Sequence, residues 1–217
     1  VDKDYGKAAE WYRKSADQGN SEGQKRLGLC YYFGKGVDKD YGKAVEWYRE
    51  SAEQGDSDGQ WRLGACYYWG EGVDKDYGKA AEWYRKSAEQ GDSKAQWRLG
   101  YCYYAGKGVD KDYSKAAELY TKSAKQGDSD AQWRLGNCYY NGEGVDKDYG
   151  KAAEWYRKSA EQGNSTGQYN LGVCYEYGHG VNKDHGKAAE WNRKSAEQGN
   201  SKAQYFLGNC YYAGKGV

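Results

Sequence analysis

The chain has 217 residues, with 33 Lys and Arg against 32 Asp and Glu and a formal net charge of +1. That balance argues against a generic polyanion binder. No apolar run approaches membrane-spanning length and no signal peptide is visible, although a chain that opens on a repeat boundary without Met reads as a fragment of a longer array. Pro is absent and aliphatic residues are scarce, so 25 Tyr and 9 Trp must supply the buried area.

A 36-residue repeat recurs six times without insertion or deletion, from Val1, Val37, Val73, Val109, Val145 and Val181, and Val217 opens a seventh. Each copy reads close to VDKDYGKAAEWYRKSAEQGDSxAQWRLGxCYYxGxG. A fixed period of this length means a solenoid, so residues 1–217 are expected to form one array. Asp4 is placed as the N-cap of a first helix running to about Gln18, with Gly19 at the position that ends it. Ala8, Trp11, Tyr12, Ser15 and Ala16 share a face at helical spacing, which predicts burial. A second helix is expected after Ser21, which forms a capping-box pattern with Gln24, and it stops at Gly34. Gly34 and Gly36 shape a short link to Val37, expected to plug the gap between repeats. Such short links make neighbouring helices antiparallel.

Six copies on one framework show which positions are held and which change. In the second helix Gln24, Leu27, Gly28, Cys30 and Tyr31 recur, while the positions of Glu22, Lys25, Arg26, Leu29, Tyr32 and Phe33 vary. At about 100° per residue the varied positions fall within an arc roughly 120° wide. The held side is therefore the packed side, where Gly28 lets helices approach and Tyr31 is expected to fill the space between them.

The segment AQWRLGYCYYAGKGVDKDYSKAAELYTKSAKQG, from Ala95 to Gly127, resembles a Sel-1-like repeat. The likeness runs through the chain, with five full repeats phased from residues 23, 59, 95, 131 and 167. Ser in place of the first Ala of the usual A-A pair, Leu119 for Trp and Asn192 for Tyr are the departures. The resemblance implies an all-α fold, a right-handed α-solenoid superhelix of stacked antiparallel helix pairs related to tetratricopeptide repeats, acting as an adaptor between proteins. By the same resemblance the varied columns line its concave surface.

The expected partner-binding groove comprises Trp61, Arg62, Ala65, Trp69, Lys94, Trp97, Arg98, Tyr101, Trp133, Arg134, Asn137, Tyr169, Val173 and Tyr177. A row of Trp, Tyr and Arg has the composition of binding hot spots. The competing reading packs the Trp61 column between helices, because large aromatics are commonly core. On the groove reading, Trp97→Ala leaves melting nearly intact and weakens binding.

The expected ligand is a peptide or helix of a partner protein. Single-stranded nucleic acid, a glycan, or an engineered consensus array with no native ligand are the alternatives. End-to-end self-association is expected from apolar terminal faces at Trp11, Tyr12, Leu207 and Tyr211. No phosphate loop, nucleophile–base pair or metal-ligand spacing is present, so neither catalysis, a cofactor nor a metal is expected. All six Cys occupy one repeat position, and stacked helices roughly 8–10 Å apart keep them beyond disulfide reach. They are expected to be free and buried, which suits a reducing compartment and is also compatible with secretion. His179 and His185 read as surface substitutions. The D-x-D of Asp2 and Asp4 lacks the spacing of a calcium loop.

Overall fold

Twelve α-helices make up the computed structural model, which describes residues 3–217. Val1 and Asp2 lie outside the described residues. The helices are α1 (Tyr5–Ala16), α2 (Ser21–Phe33), α3 (Tyr41–Glu53), α4 (Ser57–Trp69), α5 (Tyr77–Glu89), α6 (Ser93–Ala105), α7 (Tyr113–Lys125), α8 (Ser129–Asn141), α9 (Tyr149–Glu161), α10 (Ser165–Tyr177), α11 (His185–Glu197) and α12 (Ser201–Ala213). No strand occurs among the described residues. The chain divides into two compact units, Val1–Lys111 with α1–α6 and Asp112–Val217 with α7–α12. Within each unit every helix packs on its neighbours in sequence, giving an all-α solenoid of helical hairpins.

Capping fixes where the helices start. The Asp4 carboxylate accepts from the Lys7 backbone N–H at 2.9 Å, and Asp40 and Asp76 do the same one and two repeats on. The even-numbered helices depart from the expectation. Their caps are Asn20, Asp56, Asp92, Asp128, Asn164 and Asn200, so Ser21 is the first helical residue and no capping box forms. An Asn or Asp one residue earlier already reaches the free N–H groups of the first turn, as Asn20 does to Gly23 at 2.8 Å. That leaves Gln24 and its equivalents to turn inward. Gln54 donates to Gln24 (2.6 Å), Gln90 to Gln60 (2.8 Å), Gln162 to Gln132 (2.7 Å) and Gln198 to Gln168 (2.8 Å), a ladder of amides linking successive repeats in which each acceptor is buried and each donor exposed. Gly34 closes α2 with φ 67°, a left-handed conformation suited to glycine.

The core is built from small residues and one large one. Tyr48, Tyr84 and Tyr156 are almost fully buried, each against a glycine of the preceding even helix. A Cβ on Gly28 would stand 2.6 Å from the Tyr48 ring, and one on Gly136 2.6 Å from Tyr156. The Tyr12 column therefore fills the space between helices throughout; Tyr31 is buried in the same cluster as Tyr48, as expected, but its equivalents Tyr67 and Tyr175 are only half-buried. Tyr31 also accepts a hydrogen bond from Arg13, and its equivalents Tyr67 and Tyr175 do so from Arg49 (3.1 Å) and Arg157 (3.3 Å).

The Trp11 column also sits elsewhere than expected. Trp11 is exposed, and Trp83, Trp155 and Trp191 are half-buried at the margin with a lysine ammonium 4.0–4.2 Å from each ring. Ala9, Val45, Ala81, Ala117, Ala153 and Ala189 take the interior place. A stripe of Ala and Ser lets helices approach more closely than a Trp would.

All six cysteines are free and buried. Burial pushes the thiols of Cys66, Cys138 and Cys174 up to about 12 and that of Cys102 up to about 11. The two histidines are not mere surface substitutions. His179 stacks on Tyr149 with centroids 4.5 Å apart and bonds the Tyr140 hydroxyl at 2.8 Å, while His185 lies 2.8 Å from Glu176.

Candidate functional site

The held positions of the even helices point inward, with Leu27, Leu63, Leu135 and Leu171 having no exposed surface. The varied positions are left on the opposite side, and in the first unit they gather on α2, α4 and α6. Phe33 and Trp69 are exposed, at 57% and 54%. Trp61, Arg62, Ala65, Arg98 and Tyr101 are half-buried and Lys94 is exposed. Phe33, Trp61, Trp69, Arg62 and Arg98 surround a recess of about 200 Å³ with Cys66 and Tyr48 behind them. Tyr32 and Phe33 belong to this recess and were outside the expected groove. The varied columns they head were the available signal.

Trp97 departs from the expectation. It is only 8% exposed, so its ring is part of the packed structure and offers little surface to a ligand. The Arg98 guanidinium lies over it, 4.0 Å from the ring centroid.

Charges on this face follow a pattern. Arg26 is paired with Glu22 at 2.8 Å, and Arg62 with Asp58 at 3.0 Å, each across one helical turn. Burial of Asp58 opposes its ionisation, but Arg62 and Lys25 outweigh it and hold the carboxyl below its usual range. Lys25, which occupies the Trp61 position in the first repeat, is buried and ion-paired with Glu22, Asp56 and Asp58 at 2.5, 3.5 and 3.4 Å. Burial works to lower its ammonium, yet these carboxylates keep it above its ordinary value. On α6 the residue one turn before Arg98 is Lys94, whose ammonium lies 5.3 Å from the Trp61 ring centroid. Within the recess lining Tyr32 donates to Glu71 (2.7 Å), and beyond it Lys107 donates to Tyr68 (2.8 Å). Burial, reinforced by Glu71, raises the Tyr32 phenol above its usual range.

In the second unit Trp133, Arg134, Asn137, Tyr169 and Val173 are half-buried and Tyr177 is exposed. Arg134 lies over Trp133 at 4.3 Å. Asn137 accepts from the Tyr156 hydroxyl at 2.6 Å and from Asn170 at 3.4 Å, so its amide oxygen is already engaged within the protein. Tyr177 stacks on His179 with centroids 5.7 Å apart. At the last helix Tyr205, Tyr211 and Tyr212 are exposed, the last at 96%.

Comparison with known proteins agrees with this architecture. The Sel1 repeat matches residues 1–20, 21–56, 57–92, 93–128, 129–164, 165–200 and 201–217, so five full repeats are flanked by partial ones, each starting two residues before the expected phase. No curated protein matches the chain. Among solved structures, a protective antigen of uropathogenic Escherichia coli strains with an SLR fold is 45% identical, with a TM-score of 0.85 over 96% of this chain and 44% of its own. The chain thus spans less than half the length of that antigen. A Sel1 repeat protein from Oxalobacter formigenes is 33% identical, with a TM-score of 0.86 over 98% of this chain and 90% of its own. An immunity protein from Pseudomonas aeruginosa, at 22% identity and a TM-score of 0.58 over 91% of this chain and 75% of its own, shares the fold. No helix among the described residues is long and apolar enough to cross a membrane.

Proposed function

Because the chain belongs to the Sel1 repeat family, whose members are generally non-catalytic protein-interaction scaffolds, we propose that it is a non-enzymatic adaptor that binds a peptide or helix of a partner protein along the outer face of its even-numbered helices. The observation that carries this reading is the pairing of a held inner side with a varied side that, apart from Lys25, Tyr68 and Trp97, is at least partly exposed on the same helices. A packing position in identical repeats does not accept Leu29, Ala65, Tyr101, Asn137 and Val173 in turn, whereas a surface matched to one ligand does. Exposed Phe33 and Trp69 beside the recess at Trp61 are the kind of aromatic anchors on which interface energy concentrates.

The test is a peptide-array screen with the whole chain, followed by calorimetry on the best peptide. Trp69→Ala and Trp61→Ala should each weaken binding by about 1 kcal/mol or more, with the melting temperature of Trp69→Ala unchanged. Undiminished binding in both variants would place the ligand elsewhere and overturn the reading.

A further inference from the structure

The recess on the first unit carries a charge pattern that specifies what kind of peptide fits it, and this step rests on the adaptor reading above. In α2 and α4 the repeat supplies its own carboxylate one turn before the arginine, as Glu22 to Arg26 and Asp58 to Arg62. In α6 that position is Lys94, so the internal acid is replaced by a second cation. Arg98 lines the recess and Lys94 stands with its ammonium 5.3 Å from the ring centroid of Trp61, a lining residue, and neither cation forms an ion pair among the described residues. Acids of the same face are engaged: Asp58 is held by Arg62 and Lys25, Glu71 accepts from Tyr32, and Asp92, two residues before Lys94, caps α6 by accepting from the Ala95 backbone N–H. The face therefore offers an aromatic hollow of about 200 Å³, large enough for one bulky apolar side chain, with Arg98 in its lining and Lys94 by Trp61, two cations that form no ion pair among the described residues.

We infer that this site selects peptides in which a large apolar residue stands next to an Asp or Glu, the ligand carboxylate taking the place that Asp58 fills for Arg62 one repeat earlier. Charge-assisted pairing of guanidinium with carboxylate is strong where the ring faces exclude water. A uniform polyanion suits the site poorly, because Glu22, Asp58 and Glu71 stand on the same face.

The experiment uses twelve-residue peptides with an Ala/Ser/Gly background, one Phe or Leu, and one Glu, Gln or Lys at each neighbouring position, titrated into the intact chain. Glu peptides should bind at least about tenfold tighter than their Lys counterparts, with Gln between. Lys94→Asp rebuilds the internal pair seen at Asp58 and Arg62, so it should erase the preference while Phe or Leu binding persists. Lys94→Gln should reduce the preference in part, and since residue 94 is exposed both variants should melt like the parent. Equal binding of Glu and Lys peptides with sensitivity to Trp69→Ala would overturn the acidic selection and leave the adaptor reading standing. Absence of any binding sensitive to Trp69→Ala would overturn both. A twelve-residue oligothymidylate that binds more tightly than every peptide, with affinity falling steeply in salt, would replace the carboxylate by phosphate and sink the inference.

Discussion

Trp97 shows how far one repeat position can change its role. Its column runs Lys25, Trp61, Trp97, Trp133, Tyr169 and Tyr205, yet Lys25 and Trp97 are buried, Trp61 and Trp133 are half-buried, and Tyr205 is 74% exposed. The expectation that Trp97→Ala spares stability gives way to the opposite one. Removing a buried indole forfeits its contacts and leaves a cavity, so Trp97→Ala should cost about 3 kcal/mol or more. Trp69→Ala, on an exposed ring, should stay within about 0.5 kcal/mol of the parent. Thermal denaturation of the two variants side by side distinguishes them, and equal melting temperatures would contradict the burial of Trp97. Sequence reading placed the aromatic column correctly on the second helix but could not rank its members, because burial depends on what the neighbouring repeat presents.

At the scale of the element, each even helix is thirteen residues long, from Ser57 to Trp69 in α4, and marginal by itself in water. Its stability comes from docking, and the glycine–tyrosine contact sets how close that docking is. A Cβ on Gly64 would meet the Tyr84 ring at 2.8 Å, whereas one on Gly208 would meet nothing within 4 Å. The same substitution should therefore have opposite signs in the two helices. Gly64→Ala should destabilise by about 1–3 kcal/mol through overpacking. Gly208→Ala should stabilise by up to about 1 kcal/mol, since Ala is the better helix former and no neighbour opposes it. Chemical denaturation of both variants checks the pair; a loss of stability at Gly208 would show that the residue is in contact after all. The recurrence of Gly28 was legible in sequence, and so was its meaning as a close approach. Its partner was not, because the match of Tyr48 to Gly28 depends on the register between two helices, which no local pattern encodes.

Across the whole molecule, one chemical feature repeats often enough to govern its response to pH. Burial holds the thiols of Cys66, Cys138 and Cys174 neutral up to about 12 and that of Cys102 up to about 11. An unfolded thiol titrates near roughly 8.5. Below that value both states keep the proton and the contribution of burial to stability is whole. Above it the unfolded chain ionises first, so stability is lost as pH climbs toward the folded values. Each thiol should contribute a slope approaching about 1.4 kcal/mol per pH unit once the unfolded form is ionised. Urea midpoints should fall between pH 8 and pH 10, and a variant with Ala at these four positions should show a flatter profile. A parent midpoint that does not move over this range would contradict the burial of the thiols.

The sequence alone determined the period, the two helices per repeat, the Asp that caps the first helix, the glycines that end each helix and the side of the second helix that varies. These are local matters: caps and left-handed glycines act within a few residues, and the repeat prints the same local solution six times. The tertiary structure alone decided that Tyr48 rather than Tyr67 fills the interior, that the Gln24 column forms a ladder instead of capping boxes, that the Trp11 column stays at the margin, and that Trp97 is buried where Trp61 is only half so. It also brought Phe33, Trp69 and Arg98, from three separate helices, around one recess. Those outcomes rest on how close one helix comes to the next and in what register, a distance set by the packing of small against large side chains between repeats.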